Sequence, residues 1–66
     1  MKVQLNGESR EIDDSSDVAA LVAGLTLPAA AVLVEHNGLA LRRDEWSDRK
    51  LAEGDQLEII RIVAGG

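Results

Sequence analysis

The last two residues, Gly65 and Gly66, are the first candidates for chemistry in this sequence. They follow a run rich in β-branched residues, from Ile59 to Val63, with only Ala64 between. At the average glycine usage of about 7%, a terminal glycine pair arises by chance in roughly 0.5% of chains. Two glycines can enter a channel too narrow for other residues and adopt the backbone angles that the channel imposes. The pattern therefore indicates a Gly66 carboxylate that reacts inside the pocket of another protein.

Other arrangements that commonly carry chemistry are weak or missing. The sequence has no cysteine, which excludes disulfides and thiolate metal sites. His36 is the single histidine, and an isolated histidine on a strand is usually structural or solvated. The serines lack an activating partner, the acidic residues before residue 18 suit a helix cap better than a calcium loop, and no phosphate loop is present. We predict a protein that is not an enzyme and that binds no metal or cofactor itself.

Composition points to one small domain over residues 1–66, with residues 63–66 as an extended functional tail. Hydrophobic residues make up 45% of the chain, but it holds one tryptophan and no phenylalanine or tyrosine, so the core must be aliphatic. A net charge of -5 argues against nucleic-acid binding, which needs clustered basic residues. No stretch resembles a signal peptide or spans a bilayer. We expect a cytoplasmic protein that is a monomer when free and binds no membrane.

Hydrophobic patterning predicts five strands and one helix. Alternation of apolar and polar residues indicates strands, an apolar stripe at helical spacing indicates a helix, and Asn-Gly pairs indicate hairpin turns. The first half is predicted as strand 1–5, a turn at Asn6-Gly7, an edge strand 8–12 and a helix with the apolar stripe Val18, Leu21, Val22 and Leu25. Strand 31–36 follows, with Val32 and Val34 toward the core, and a turn at Asn37-Gly38 leads into strand 39–41. The rest is an irregular charged segment 42–50 around Trp46, a hydrophobic anchor at Leu51, a turn at Gly54-Asp55 and strand 56–63.

The helix has recognisable ends. Ser16 or Asp17 can cap its start, Gly24 is placed to end it, and Pro28 prevents its continuation. At about two turns it must be held by packing on a sheet. The expected fold class is α+β, with a mixed sheet of four to five strands packed on one main helix and a flexible Gly-Gly tail.

The last strand carries apolar residues on both faces. Leu57 and Ile59 share one face, and Ile60 and Ile62 share the other with Glu58. One helix covers only one face of a sheet. Either the strand is central and buried on both sides, or Ile60 and Ile62 form an exposed patch that docks partners.

Together these features resemble the ubiquitin-like (β-grasp) sulfur carriers, in particular those of thiamine thiazole biosynthesis. The resemblance covers the whole chain and rests on Asn6-Gly7, Asn37-Gly38, the segment Leu41 to Trp46, Gly54-Asp55 and Ala64-Gly65-Gly66. That family usually has proline where Arg42 stands, followed by an arginine that matches Arg43. The absence of the proline loosens the loop motif but touches no chemistry.

The resemblance implies a function for the terminus. An adenylyltransferase related to ubiquitin-activating enzymes would use MgATP to adenylate the Gly66 carboxylate, and sulfur from a donor such as a cysteine desulfurase would displace AMP to leave a thiocarboxylate. Thiazole synthase would then take the sulfur. Gly65 and Ala64 would give access, and the Ile60/Ile62 face, with Arg61 and Arg43, would dock the partners.

Three alternatives share this terminus or this fold. One is the small subunit of molybdopterin synthase or another β-grasp sulfur carrier. Another is a protein modifier that is conjugated to lysines as ubiquitin is. The third is a passive β-grasp interaction module whose glycines do nothing.

Overall fold

A computed structural model describes residues 1–27 and 31–62. Within these ranges the strands are β1 (Lys2–Leu5), β2 (Glu8–Glu11), β3 (Val32–His36), β4 (Leu39–Leu41) and β5 (Gln56–Arg61), with an α-helix, α1 (Val18–Ala23), and a 3₁₀ helix (Arg43–Asp48). The strands form one mixed sheet in the order β2-β1-β5-β3-β4, so the last strand in sequence is the central one in space. The predicted α+β class, with its mixed sheet and helix, is confirmed.

The first hairpin follows directly from its residue pattern. Val3 and Leu5 are buried while the residues between them are exposed, so β1 presents alternate side chains to the core. Asn6 and Gly7 take the positive φ angles, 49° and 83°, that a type I′ turn requires. β2 is exposed at every position and lies at one edge of the sheet, as predicted for the polar return strand.

Helix α1 is short and depends on packing. The Asp17 side chain accepts a hydrogen bond of 2.8 Å from the backbone N–H of Ala20, which identifies Asp17 rather than Ser16 as the cap. Val18, Leu21 and Val22 are buried against the sheet, whereas Leu25 is only partly buried. The helix ends at Gly24, but Gly24 keeps a right-handed conformation, and the positive φ of 55° falls on Thr26.

The segment 42–50 differs from its prediction as an irregular stretch. Residues 43–48 form a 3₁₀ helix that contacts α1. The backbone N–H of Arg42 donates to the Glu45 carboxylate at 2.7 Å, and the N–H of Glu45 donates to the Arg42 carbonyl at 2.9 Å, so the first turn is closed from both ends. Trp46 is 5% exposed and holds the turn to the core.

Strand β5 joins the two halves of the sheet. It pairs in parallel with β1 and antiparallel with β3, where Leu57 lies opposite His36 and Ile59 opposite Val34. Leu57 and Ile59 are buried, and the predicted anchor Leu51 is buried beside them in the same cluster. The strand ends at Arg61 rather than at the predicted Val63, which lies outside the described residues.

No helix within residues 1–27 and 31–62 has both the length and the apolar character that crossing a bilayer requires.

Candidate functional site

The predicted reacting residues, Gly66 with Gly65 and Ala64, lie outside the described residues. The structure describes the strand that precedes them in sequence. The last backbone contact within the described residues is the N–H of Ile62, which donates to the carbonyl of Ala31 at 2.6 Å and continues the pairing of β5 with β3. The chain is therefore fixed to the sheet as far as Ile62.

The side chain of Asn6 holds β5 from the β1 side. Its Oδ1 accepts from the backbone N–H of Ile59 at 2.8 Å, and its Nδ2 donates to the carbonyl of the same residue at 3.3 Å. The amide thus substitutes for a peptide group and continues the β1–β5 pairing one step past the end of β1. The sequence indicated the turn at Asn6-Gly7 but not this contact, which joins residues 53 positions apart.

Asn37 holds the start of β5 from the other hairpin. Its Oδ1 accepts from the N–H of Gln56 at 2.8 Å, while its own N–H donates to the Gln56 carbonyl at 2.7 Å. In both Asn-Gly turns, therefore, the asparagine adopts a positive φ and also forms hydrogen bonds with the central strand β5. Asparagine tolerates positive φ and, unlike glycine, also has a side-chain donor and acceptor. The choice of asparagine at both turns was therefore the sequence feature that could have predicted these hydrogen bonds.

His36 is buried and lies at the base of β5. Its Nδ1 accepts from Nε–H of Arg49 at 3.3 Å, so its proton is on Nε2, which donates to the Asp55 carboxylate at 2.7 Å. The same carboxylate accepts from Asn37 Nδ2 at 3.1 Å and from the N–H of Ala52 at 2.9 Å. Of the two roles open to His36, structural or solvated, the structure shows the structural one.

Asp55 gives the fold a predictable pH dependence. Burial alone would raise the pKa of Asp55, but hydrogen bonds from His36, Asn37 and the N–H of Ala52 outweigh it and hold the pKa below its ordinary value. The ionised carboxylate therefore stabilises the folded state at neutral pH, and that contribution is lost as pH falls from the ordinary aspartate range through the folded pKa. Urea unfolding of the wild type across acidic pH should show this loss, and Asp55→Asn should remove part of it.

The matched control for that experiment is Asp48→Asn, which removes one exposed carboxylate from the 3₁₀ helix. It should leave the pH dependence of the unfolding free energy close to that of the wild type. An Asp55→Asn variant with the wild-type acid slope would contradict the role given to Asp55.

The face of the sheet opposite α1 carries an exposed apolar patch. Leu33, Ile60 and Ile62 are 52%, 48% and 46% exposed, and Leu33 lies directly opposite Ile60 across β3 and β5. We refer to these three residues as the outer patch. Of the two interpretations of β5, the exposed patch is confirmed and the strand buried on both sides is wrong, because α1 packs on the other face. Leu33 was not among the predicted patch residues, although its position between Val32 and Val34 places it on that face.

The other two predicted docking residues lie elsewhere. Arg61 is exposed and lies opposite Val32, so it alternates with the isoleucines rather than joining them on the outer face. Arg43 is on the 3₁₀ helix, at a cavity of about 280 Å³ that it shares with Trp46 and α1 residues such as Val22. The structure therefore brings Ile60 and Ile62 together with Leu33 and does not place Arg43 on that surface.

Within the described ranges, no three or more His, Cys, Asp and Glu side chains are grouped to hold a metal ion.

The chain matches the ThiS family over residues 3–66. The chain belongs to the ThiS family. A crystal structure of the thiamine biosynthesis protein ThiS from Geobacter metallireducens is similar over the full length of both chains, with 30% identity and a TM-score of 0.85. A solution NMR structure of a thiamine biosynthesis protein from the same organism matches with a TM-score of 0.82, at 30% identity and over 88% of that chain. The β-grasp fold is thus shown by ThiS structures as well as by the strand order.

Two curated relatives are named thiazole synthase. They come from Magnetococcus marinus, at 32% identity, and Paramagnetospirillum magneticum, at 33% identity, and in both cases all 66 residues of this chain are aligned. The chain spans about 20% of the length of each of these relatives. A ThiS-like segment therefore forms part of proteins that bear the name of the enzyme.

Proposed function

We propose that this ThiS-family chain is a sulfur carrier of thiamine biosynthesis, whose Gly66 carboxylate becomes a thiocarboxylate and gives its sulfur to thiazole synthase. One observation carries the proposal: the family match runs to residue 66 and so includes Gly65 and Gly66. The solved relatives are thiamine biosynthesis proteins, which gives the pathway.

The chemistry follows from the reactivity of a carboxylate, which is a poor electrophile. In the proposed first step, a carboxylate oxygen of Gly66 attacks the α-phosphorus of MgATP on a ubiquitin-activating-like adenylyltransferase, and pyrophosphate leaves. A sulfur nucleophile, supplied as a persulfide by a donor such as a cysteine desulfurase, then attacks the acyl carbon, and AMP leaves. Reduction of the resulting acyl disulfide by a thiol releases the thiocarboxylate. The chain has no cysteine to hold sulfur as a persulfide, so in this scheme the transferred sulfur is carried at Gly66.

The sheet supplies position rather than catalysis. Backbone pairing to β1 and β3, together with the Asn6 and Asn37 side chains, fixes β5 as far as Ile62. From there to Gly66 an extended chain of four residues reaches roughly 14 Å, at about 3.3–3.6 Å per residue. That is enough to carry a carboxylate into a recessed active site while the carrier itself stays on the partner's surface. The protein is a substrate of its partners and not an enzyme.

Thiazole synthase is the partner best supported by the relatives. In two proteins of that name a segment similar to this chain is part of the same polypeptide. Covalent linkage of two units in some organisms is consistent with their working together where they are separate. The adenylyltransferase and the sulfur donor are implied by the resemblance to the sulfur carriers, and they fit the need to activate a carboxylate.

Intact-mass spectrometry of the carrier tests the proposal. After incubation with MgATP, the adenylyltransferase and a sulfur source, the mass should increase by the difference between one sulfur and one oxygen atom. Conjugates with other proteins would instead support a protein modifier, and an unchanged mass would support a passive module. If molybdopterin synthase accepted the thiocarboxylate and thiazole synthase did not, the chain would be a sulfur carrier of molybdopterin synthesis instead.

The outer patch should be needed for activation. Replacing Ile60 and Ile62 together by threonine keeps β-branched residues in the strand but removes exposed apolar surface, which we expect to lower kcat/KM for adenylation about tenfold. Because both side chains are half exposed, the unfolding midpoint should change little. Steady-state pyrophosphate release by the adenylyltransferase gives the measurement.

Leu39→Thr is the matched control for the outer patch. Leu39 is 51% exposed but pairs with His36, a core-facing position, and so lies on the opposite face from Ile60. This variant should be activated at the wild-type rate. Equal losses in the patch variant and in Leu39→Thr would show that the effect does not come from the patch.

A further inference from the structure

Two glutamates lie directly opposite each other beside the outer patch. The β3–β5 register pairs Glu35 with Glu58, next to the pair formed by Leu33 and Ile60 along the same two strands. Since side chains alternate along a strand, both glutamates share the outer face with Leu33 and Ile60. Directly opposite residues in antiparallel strands have Cβ atoms about 4.5–5.5 Å apart.

Core packing fixes the β3–β5 register, so a shift of one strand along the other cannot separate the two glutamates. The flanking pairs, Val34 with Ile59 and His36 with Leu57, are buried. A slip of one residue would turn every core side chain of β5 to the outside. Like charges placed directly opposite destabilise a sheet. The free protein therefore holds two like charges directly opposite each other, at a position where uncharged residues would avoid that cost.

Neither glutamate forms an ion pair within the described part of the chain. The ion pairs there involve the N-terminus, His36 with Asp55, and Arg42 with Asp44 and Glu45, and none of them includes Glu35 or Glu58. On the β4 side, the residue opposite Glu35 is Ala40, which has no charge to offer. The two carboxylates thus border the apolar outer patch without a cation of their own.

We propose that Glu35 and Glu58 are specificity-determining residues that receive a cationic side chain of thiazole synthase when the outer patch docks on it. Arginine fits best, because its planar guanidinium presents several donors in a fixed fork and can bridge two carboxylates at this separation. The apolar patch supplies contact area, and the paired charges restrict which partner surface is accepted. This inference rests on the proposed function, since it names the surface that the tail-accepting enzyme recognises.

The test compares stability and binding in the same variants of the full chain. Replacing Glu35→Gln and Glu58→Gln together should raise the thermal unfolding midpoint, because the repulsion is gone. The same double variant should bind purified thiazole synthase about tenfold more weakly, as expected when a charge-assisted hydrogen bond is lost. Its affinity should also depend less on salt than that of the wild type. Isothermal titration calorimetry at low and high salt gives both quantities.

Glu8→Gln is the matched control, because it removes the same charge from β2, at the edge of the sheet and away from the outer patch. It should leave affinity close to that of the wild type. A double variant with wild-type affinity and salt dependence would overturn the inference, as would a lower unfolding midpoint. If the wild type itself failed to bind thiazole synthase, the proposed function would fail instead, so the two failures can be told apart.

Discussion

Deletion of Gly66 is expected to abolish thiocarboxylate formation at the C-terminus, which is then Gly65. Sulfur transfer to thiazole synthase should be lost with it. The deletion moves the carboxylate to Gly65 and shortens the reach beyond Ile62 by one residue, about 3.5 Å. Reaction geometries tolerate far less, since a misplacement of about 1 Å can cost on the order of 100-fold in rate. Within the described residues the buried core lies between Val3 and Ile59, so the free energy of unfolding should change little.

Two measurements on the deleted chain separate function from folding. Intact mass after incubation with the activating system reports the loss of sulfur loading, and urea unfolding reports an unchanged stability. Gly65→Val provides a comparison that keeps the length and the Gly66 carboxylate but adds a β-branched side chain at the position before it. It should be loaded and discharged much more slowly than the wild type. Normal thiazole formation by the chain without Gly66 would rule out the terminal carboxylate as the sulfur site.

Replacement of Asn6 is expected to have the largest effect on stability among the exposed positions. Asn6→Ala loses both hydrogen bonds to the backbone of Ile59 and also places alanine, which tolerates the left-handed region less well than asparagine, at a φ of 49°. Losing the partner of a part-buried backbone group costs about 1–3 kcal/mol, and a left-handed conformation at alanine about 1 kcal/mol more. For a chain of this size, total stability is roughly 3–10 kcal/mol, so the loss is a large share.

Two further substitutions at the same position separate the contribution of the side-chain hydrogen bonds from that of the backbone conformation. Asn6→Gly keeps the conformational freedom and loses only the side-chain contacts, so it should be destabilised less than Asn6→Ala. Asn6→Asp keeps an oxygen to accept from the Ile59 N–H but replaces the donor, and it should also retain part of the stability. Urea denaturation at neutral pH ranks the three variants. Wild-type stability in Asn6→Gly would show that the amide does not hold β5.

The sequence was sufficient for most of the fold because its local signals agree with its tertiary structure. The Asn-Gly pairs at residues 6–7 and 37–38 predicted two hairpins, and both adopt the expected positive φ angles. The stripe of Val18, Leu21 and Val22 predicted the helix that covers the core. Since one helix covers one face of a sheet, the sequence left two options for Ile60 and Ile62, and the structure shows the exposed one.

The parts that were not predicted depend on contacts distant in sequence or on weak local patterns. The 3₁₀ helix at Arg43–Asp48 is one short turn-like element with a single buried residue, Trp46, and so gives no stripe. Asn6 and Ile59 meet only because β1 and β5, at opposite ends of the chain, pair in parallel. The charge pair of Glu35 and Glu58 likewise requires the strand register, which no local pattern specifies.

Those long-range contacts clarify how the candidate site is built. Both hairpins use their turn asparagines to hold β5, and the His36–Asp55 contact fixes the loop from which that strand begins. The strand that precedes the terminal residues is therefore held from both sides, by β1 and by β3. The outer patch and the paired glutamates lie on the same strand. Under the proposed function, partner recognition and presentation of the terminus would thus be combined in one element.

The central claim is that the sulfur of the thiazole product comes from the Gly66 thiocarboxylate. A single-turnover experiment with isotopically labelled sulfur tests it most directly. The carrier is loaded with labelled sulfur, separated from the activating enzyme, MgATP and the sulfur donor, and mixed with thiazole synthase and its remaining substrates. The label should appear in the thiazole product while the carrier returns to its unlabelled carboxylate mass. Label that stays on the carrier while thiazole forms would contradict the central claim.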